Sequence, residues 1–216
     1  PAERLCDDCR ARFVTERPRC AGCALALPEA VDVCGGCLRA PPPWAVAVAA
    51  CDYGYPWRGL IGALKFREAI DLAACLAERL GDAVVRQGAP CPDVLLPVPL
   101  SAARLRARGY NQALLVARPL GRRLGVPVDP HGLVRVGDPP PQASLPRAER
   151  LANLRGAFAI DPRHAARWRG RAVAIVDDVM TTGATAAELT RLLRAAGAAS
   201  VQVWVVARTP RDAAAA

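Results

Sequence analysis

One stretch limits the fold of this chain more than any other: residues Ala172 to Thr185, reading AVAIVDDVMTTGAT. Val173, Ile175 and Val176 form a β-branched apolar run suited to a buried strand. Two adjacent carboxylates, Asp177 and Asp178, close that run. After Val179 and Met180 follows a hydroxyl- and glycine-bearing turn, Thr181, Thr182, Gly183 and Thr185, with Ala184 within it. From Ala186 to Ala196 the pattern becomes helical, with Leu189, Leu192 and Leu193 on one face. Strand, acidic pair, small-residue loop and helix, in that order, make one half of an α/β site in which ligands sit beyond the carboxyl ends of the strands.

The chemistry of that junction follows from its residue types. Ionised carboxylates only accept hydrogen bonds, so an adjacent pair suits the two donors of a vicinal diol. It equally suits a hard cation such as Mg²⁺. Backbone N–H groups at a helix start, helped by threonine hydroxyls, suit an anion. Gly183 permits a close approach or a positive φ. A ligand with a diol at one end and a phosphate at the other, such as a ribose 5-phosphate, satisfies both halves. A capping acidic turn after a buried strand is the simpler alternative, and an Asp-Asp pair alone would not displace it.

Six of the nine cysteines fall in three C-x-x-C pairs within the first forty residues: Cys6/Cys9, Cys20/Cys23 and Cys34/Cys37. Their odd number and the lack of a secretory apolar segment at the start point to a reducing, cytoplasmic compartment and to metal binding. Two such knuckles give a tetrahedral zinc site with four thiolates. Either neighbouring couple can pair. Cys20, Cys23, Cys34 and Cys37 are favoured because Gly35 and Gly36 ease the last turn. Cys6 and Cys9 are then left over, like half of a double ribbon whose first pair is missing. A segment this small needs the metal for its folding energy. The zinc is structural, since four thiolates leave no open position. The first residue is not Met, so the start is read as trimmed.

Residues 1–40 are therefore expected as a zinc ribbon and 44–210 as a second, α/β domain. Pro41 to Pro43 make a stiff break between them, and 211–216 a frayed tail. No apolar run is long enough to span a membrane. The net charge of +9 is carried almost wholly by arginine, since Lys65 is the only lysine. Arginine-favouring base composition explains such a bias, although a basic surface also attracts nucleic acid or polyphosphate. Val46 and Val48 lie in an expected strand, 44–51. Helices are expected over 57–66 and 70–86, with Lys65 as a solvated side chain. A strand at 93–99 leads into Pro99, Leu100 and Ser101 and then Arg104, Arg106 and Arg108, a cluster placed to neutralise a second anion. The helix from Asn111 to Leu124 contains Pro119, which should kink or split it. Residues 126–136 carry weak strand signals. The proline-rich segment 137–147 reads as a lid, 148–155 as a short helix, 157–160 as a strand and 161–169 as a basic connector with His164 exposed. A buried strand is expected at 200–207.

Taken together these motifs resemble the ComF/GntX family, in which a zinc ribbon is fused to a type I phosphoribosyltransferase domain. The resemblance rests on the C-x-x-C series, on Leu64-Lys65-Phe66, and on Val98-Pro99-Leu100 followed by Arg104 and Arg108-Gly109-Tyr110-Asn111-Gln112. It rests also on Gln142, Arg150, Asn153 and Gly156-Ala157-Phe158, and on Val173 to Thr185. It implies a twisted, mainly parallel sheet flanked by helices, with a small hood. It implies that Asp177 and Asp178 hold the ribose hydroxyls of 5-phosphoribosyl 1-diphosphate (PRPP), and that Met180 to Thr185 cradle the 5-phosphate, with Val179 also in the PRPP-binding set. Pro99, Leu100, Ser101, Arg104 and Arg108 would face the diphosphate and its Mg²⁺, and 137–150 would close over the site. Ser101 stands where His is frequent, and Pro139 where Thr is usual.

The implied reaction joins a nucleobase-like acceptor to C1 of PRPP with release of diphosphate. No general base is apparent, and none is assigned. The competing reading is a non-catalytic, PRPP- or nucleotide-responsive accessory of DNA uptake. It would contact DNA or a helicase-type partner through the ribbon, although aromatic stacking platforms are not evident there. A ribbon used only for docking or homodimerisation is a third reading.

Overall fold

Near-continuous apolar strands must be covered on both faces, and the chain supplies helices for each. A computed structural model describes residues 5–14, 16–28, 31–136 and 156–210. The expected lid and the helix at 148–155, with Gln142, Arg150 and Asn153, lie outside the described residues, as does the tail at 211–216.

In chain order the elements are α1 (Asp7–Phe13), α2 (Gly35–Arg39), β1 (Val46–Asp52), α3 (Trp57–Phe66), α4 (Leu72–Arg86), β2 (Val94–Pro97), α5 (Ala102–Arg108), α6 (Gln112–Leu124), β3 (Leu133–Arg135) and β4 (Phe158–Ile160). There follow α7 (Pro162–Ala165), a 3₁₀ turn (Ala166–Trp168), β5 (Ala172–Met180), α8 (Ala184–Ala195) and β6 (Ser200–Arg208). The main sheet has the order β1-β6-β5-β2, and every pairing is parallel. A small antiparallel pair, β3 with β4, forms the hood.

Alternation along the strands sends successive side chains to opposite faces. Ala174, Val176, Trp204 and Val206 meet Leu64, Leu76, Leu80, Val116 and Leu120 from α3, α4 and α6 in one core. Val173, Ile175, Val203 and Val205 meet Leu189 and Leu193 of α8, with Phe158 and Trp168, in the other. Leu5 enters the first core and Ala24 the second, so described parts of the N-terminal segment pack onto the sheet. Ala47 N–H of the edge strand β1 donates to Ala21 C=O at 2.7 Å.

Three expectations change. First, β5 does not end before the acidic pair. Pairing with β6 continues through Asp177↔Val205 and Val179↔Ala207 to Met180↔Arg208, which makes the carboxylates part of the strand. Second, α6 runs unsplit through Pro119. Proline removes one donor, but Asn111 Oδ1 caps the helix by accepting from Ala113 and Leu114, and Val116, Ala117 and Leu120 are fully buried against the sheet. Third, 161–169 is not a bare connector: Asp161 caps α7 by accepting the N–H of Arg163 at 2.9 Å. Among the described residues no helix is long and apolar enough to cross a membrane.

Candidate functional site

Because β5 carries the acidic pair to its last turn before α8, the two carboxylates sit where strand hands over to helix. A cavity of about 180 Å³ opens there. Its walls include Asp177 and every residue from Val179 to Thr185, with Ile175, Val203 and Val205 as floor. Of the nine residues expected around the sugar phosphate, only Asp178 is not in the wall.

Gly183 shapes the loop. It has φ +81°, a left-handed conformation that side-chain-bearing residues rarely adopt. A Cβ there would also lie 3.0 Å from the ring of Trp44. Thr182 Oγ1 accepts the N–H of Ala184 at 3.3 Å, and α8 begins immediately afterwards. The first-turn N–H groups of a twelve-residue helix lack intrahelical acceptors and favour negative charge. Thr181 is exposed, and Thr182 and Thr185 are half-buried, so hydroxyls are available at the mouth.

The acidic pair is asymmetric. Asp178 is 3% exposed and ion-paired through Oδ2 with Lys65 Nζ of α3. Asp177 Oδ1 accepts the N–H of Asp178 at 2.8 Å. Burial, then the charge of Asp178 and a side-chain hydrogen bond with it, push the Asp177 carboxyl well above the ordinary range; the Asp178 N–H and Lys65 oppose this only in part. The three groups form a chain, Lys65 to Asp178 to Asp177, whose last member faces the cavity. Lys65 is thus not the solvated side chain expected from the sequence: its side chain is only 21% exposed. Its singularity in an arginine-rich chain was the available signal.

The turn expected to face a diphosphate is arranged differently from its neighbour. Ser101 is buried and caps α5 by accepting the N–H of Arg104 at 3.3 Å. Arg104 is exposed. Arg108 donates to Gln112 Oε1 and lies over the Phe66 ring, 5.3 Å from its centroid. Pro99 and Leu100 are half-buried, and Val98 joins this turn to the cavity wall.

Cys20, Cys23, Cys34 and Cys37 converge, with all four sulfurs within 4.8 Å of one another. The Cys23–Cys34 sulfur separation is 3.7 Å. Four ligands at about 2.3 Å from a tetrahedral zinc stand roughly 3.8 Å apart, so the set fits that ion. Burial raises the Cys23 thiol to about 11. At Cys34 burial acts the same way but is outweighed by hydrogen bonds from the Cys37 N–H and the neighbouring thiols, which bring it to about 6. Burial and the nearby sulfurs push Cys37 up further. Crowded thiols of this kind ionise together only around a cation. Cys6 and Cys9 lie outside the cluster and hydrogen-bond each other.

His164, expected as exposed, is half-buried instead. Its Nδ1 lies 2.7 Å from Asp129 Oδ2, and Asp129 Oδ1 also accepts the N–H groups of His131 and Gly132. This pair ties α7 to the segment that leads into β3.

Comparison with known proteins agrees with this geometry. The phosphoribosyl transferase domain family matches residues 111–215. The DNA utilization protein YhgH of Salmonella typhi is 39% identical over 210 residues, covering 95% of this chain and 90% of the relative. Competence protein F of Haemophilus influenzae is 35% identical over 208 residues, covering 94% of this chain and 90% of the relative. Among solved structures, glutamine PRPP amidotransferase from B. subtilis aligns with 22% identity over 61% of this chain and 26% of that one, with a TM-score of 0.41. From full-length similarity to YhgH and Competence protein F, and from the domain match across the acidic-pair loop, the chain belongs to the ComF family and has the type I phosphoribosyltransferase fold with an N-terminal cysteine cluster.

Proposed function

We propose that this chain binds PRPP with Mg²⁺ and transfers its ribose 5-phosphate to a nucleobase-type acceptor, releasing diphosphate. The observation that carries this reading is the single cavity in which Asp177 and the whole Val179–Thr185 loop meet at the end of a parallel strand. The loop N–H groups and the hydroxyls of Thr181, Thr182 and Thr185 take the 5-phosphate. Asp177 takes the ribose hydroxyls, and Asp178, outside the cavity wall and ion-paired with Lys65, backs it. Arg104 and the Pro99–Ser101 turn face the diphosphate, and Arg108 joins them if it leaves Gln112.

Mg²⁺ fits as a passenger of the substrate. Among the acidic pair, Asp178 is engaged by Lys65 and lies outside the cavity wall, so the two carboxylates are a poor cation site alone. The hard oxygens of the diphosphate and ribose hydroxyls are its natural ligands. When bound, it supplies positive charge at the leaving group. In the reaction the C1–O bond to diphosphate breaks, a C1–N bond forms, and the proton of the acceptor nitrogen passes to the departing diphosphate or to water. The chain's part is to orient the reactants and stabilise charge. The cysteine cluster takes a structural zinc and has no part in the chemistry.

The test is diphosphate release from PRPP and Mg²⁺ across a panel of nucleobases. Release that depends on one added base supports transfer. PRPP binding without release in any mixture replaces the enzyme by a PRPP-responsive accessory protein.

A second reading, contact with single-stranded DNA in uptake or utilisation, is favoured by one surface. Tyr55 is 86% and Phe66 76% exposed, flanked by exposed Arg58 and Arg67, with Arg108 stacked on Phe66. Phe13 packs edge-on against Tyr55 with ring centroids 5.5 Å apart. Aromatic faces among arginines suit stacked bases and phosphates. The surface centres on α3, so this reading moves the DNA contact from the ribbon, where the sequence suggested it, to the ribbon's border. The names of the YhgH and competence relatives fit such a role in this chain. Binding that weakens steeply with salt and is lost in Tyr55→Ala/Phe66→Ala supports it.

A further inference from the structure

The cysteine knuckle and the threonine loop are joined by two side chains. Arg208, at the end of β6, is 8% exposed. Its Nε donates to the carbonyl of Cys23 at 2.8 Å. Its Nη1 donates to the carbonyls of Met180 and Thr209, each at 2.9 Å, and to that of Thr181. One guanidinium therefore holds a zinc-ligand residue and the entry of the phosphate loop together. Trp44 makes the parallel link. Its indole N–H donates to the carbonyl of Gly22 at 2.6 Å, while the far edge of its ring lies 3.0 Å from the position of a Cβ on Gly183. Gly22 and Cys23 are the middle and end of the Cys20–Cys23 turn, which Ala24 N–H closes onto Cys20 C=O at 2.7 Å.

We propose that Arg208 and Trp44 are positioning residues that couple the cysteine cluster to the threonine loop, so that metal occupancy of the cluster sets the affinity of the loop for a phosphate. The inference rests on the reading of the loop as a sugar-phosphate site. Its physical basis is that both acceptors on the knuckle, Gly22 C=O and Cys23 C=O, belong to a turn whose shape the metal fixes. If that turn relaxes, Trp44 and Arg208 lose acceptors on one side. Their grip on Gly183, Met180 and Thr181 then slackens on the other. Arg208 also places a buried positive charge directly behind the loop, where a charge acts more strongly than in water.

Linkage makes the test reciprocal. If zinc strengthens ribose 5-phosphate binding by some factor, ribose 5-phosphate must strengthen zinc binding by the same factor. Ribose 5-phosphate affinity is measured by calorimetry on zinc-loaded and zinc-stripped full-length chain. Zinc affinity is measured by equilibrium competition with a chelator, with and without saturating ribose 5-phosphate. The expected coupling is about tenfold in each direction, within the usual allosteric range. Trp44→Phe loses both the hydrogen bond to the knuckle and the outer ring edge beside Gly183; Arg208→Lys keeps the charge and loses the fork. Both should retain zinc, bind ribose 5-phosphate more weakly, and show the zinc coupling reduced towards one.

A wild-type coupling of one, with ribose 5-phosphate still binding, overturns this inference alone. Full coupling in both variants overturns the assignment of Arg208 and Trp44. If zinc-loaded wild type does not bind ribose 5-phosphate, the sugar-phosphate reading fails and this inference with it. Should the stripped chain unfold, the zinc-loaded variants still decide: unchanged ribose 5-phosphate affinity in both refutes the coupling.

Discussion

Replacing Lys65 by Met should expose how the acidic pair is held. The Asp178 side chain is 4% exposed and its Oδ2 is ion-paired with Lys65. Methionine removes the cation and leaves a buried carboxylate whose other close neighbour is a second carboxyl group. Breaking a buried pair in this way costs about 3–5 kcal/mol, because one charge stays uncompensated. With the lysine side chain 21% exposed, the lower end applies, about 3 kcal/mol. For a chain of this size that is a fall in Tm of roughly 6–12 °C.

The cost should depend on pH. Without Lys65 the pair has a higher folded-state affinity for protons than the unfolded chain. Acids with raised folded pKa values favour the folded state below the unfolded value, and that support is lost as pH rises. The deficit should therefore be small below about pH 4 and grow above it. Urea unfolding at several pH values, with Asp178→Asn and the double variant Lys65→Met/Asp178→Asn, completes a cycle. The double variant should recover at least about 2 kcal/mol of the additive expectation, as contacting residues do. A Lys65→Met variant within about 0.5 kcal/mol of wild type at pH 7, the scatter of ordinary surface changes, would refute the reasoning.

Two further outcomes follow from the same site. Asp177→Asn should raise stability at pH 8 and flatten its fall between acid and neutral pH, because the raised Asp177 carboxyl makes the folded state lose ground as pH rises; thermal melts across pH check this, and equal pH profiles would contradict it. Gly183→Ala should cost about 1–2 kcal/mol for its left-handed φ, and somewhat more if the Trp44 ring, 3.0 Å from the new Cβ, cannot yield; chemical denaturation measures it, and an unchanged midpoint would show that the loop reshapes freely.

Much of this architecture was legible because two kinds of local signal agreed. The apolar run before Asp177, the small-residue loop and the leucine spacing after Ala186 specify strand, turn and helix independently of context, and β5 and α8 lie there. The C-x-x-C spacing likewise located Cys20, Cys23, Cys34 and Cys37, because knuckle geometry is local. What escaped was set by distant partners. Lys65 looks like any helix-end cation until α3 packs beside β5. His164 looks exposed until Asp129, thirty-five positions away, accepts from it. Arg208 ends a mostly apolar strand, and only the fold shows that its acceptors come from the knuckle and the loop. Pro119 misled because propensity counts one lost donor and not the buried face of α6.

The most direct measurement is a calorimetric titration of PRPP with Mg²⁺ into the zinc-loaded chain and into Asp177→Asn. Binding to a single site in the wild type, weakened at least tenfold or about 1.4 kcal/mol in a variant that remains folded, is the expected result. No binding by the wild type, or equal affinity in the variant, would contradict the assignment of this strand end as a sugar-phosphate site.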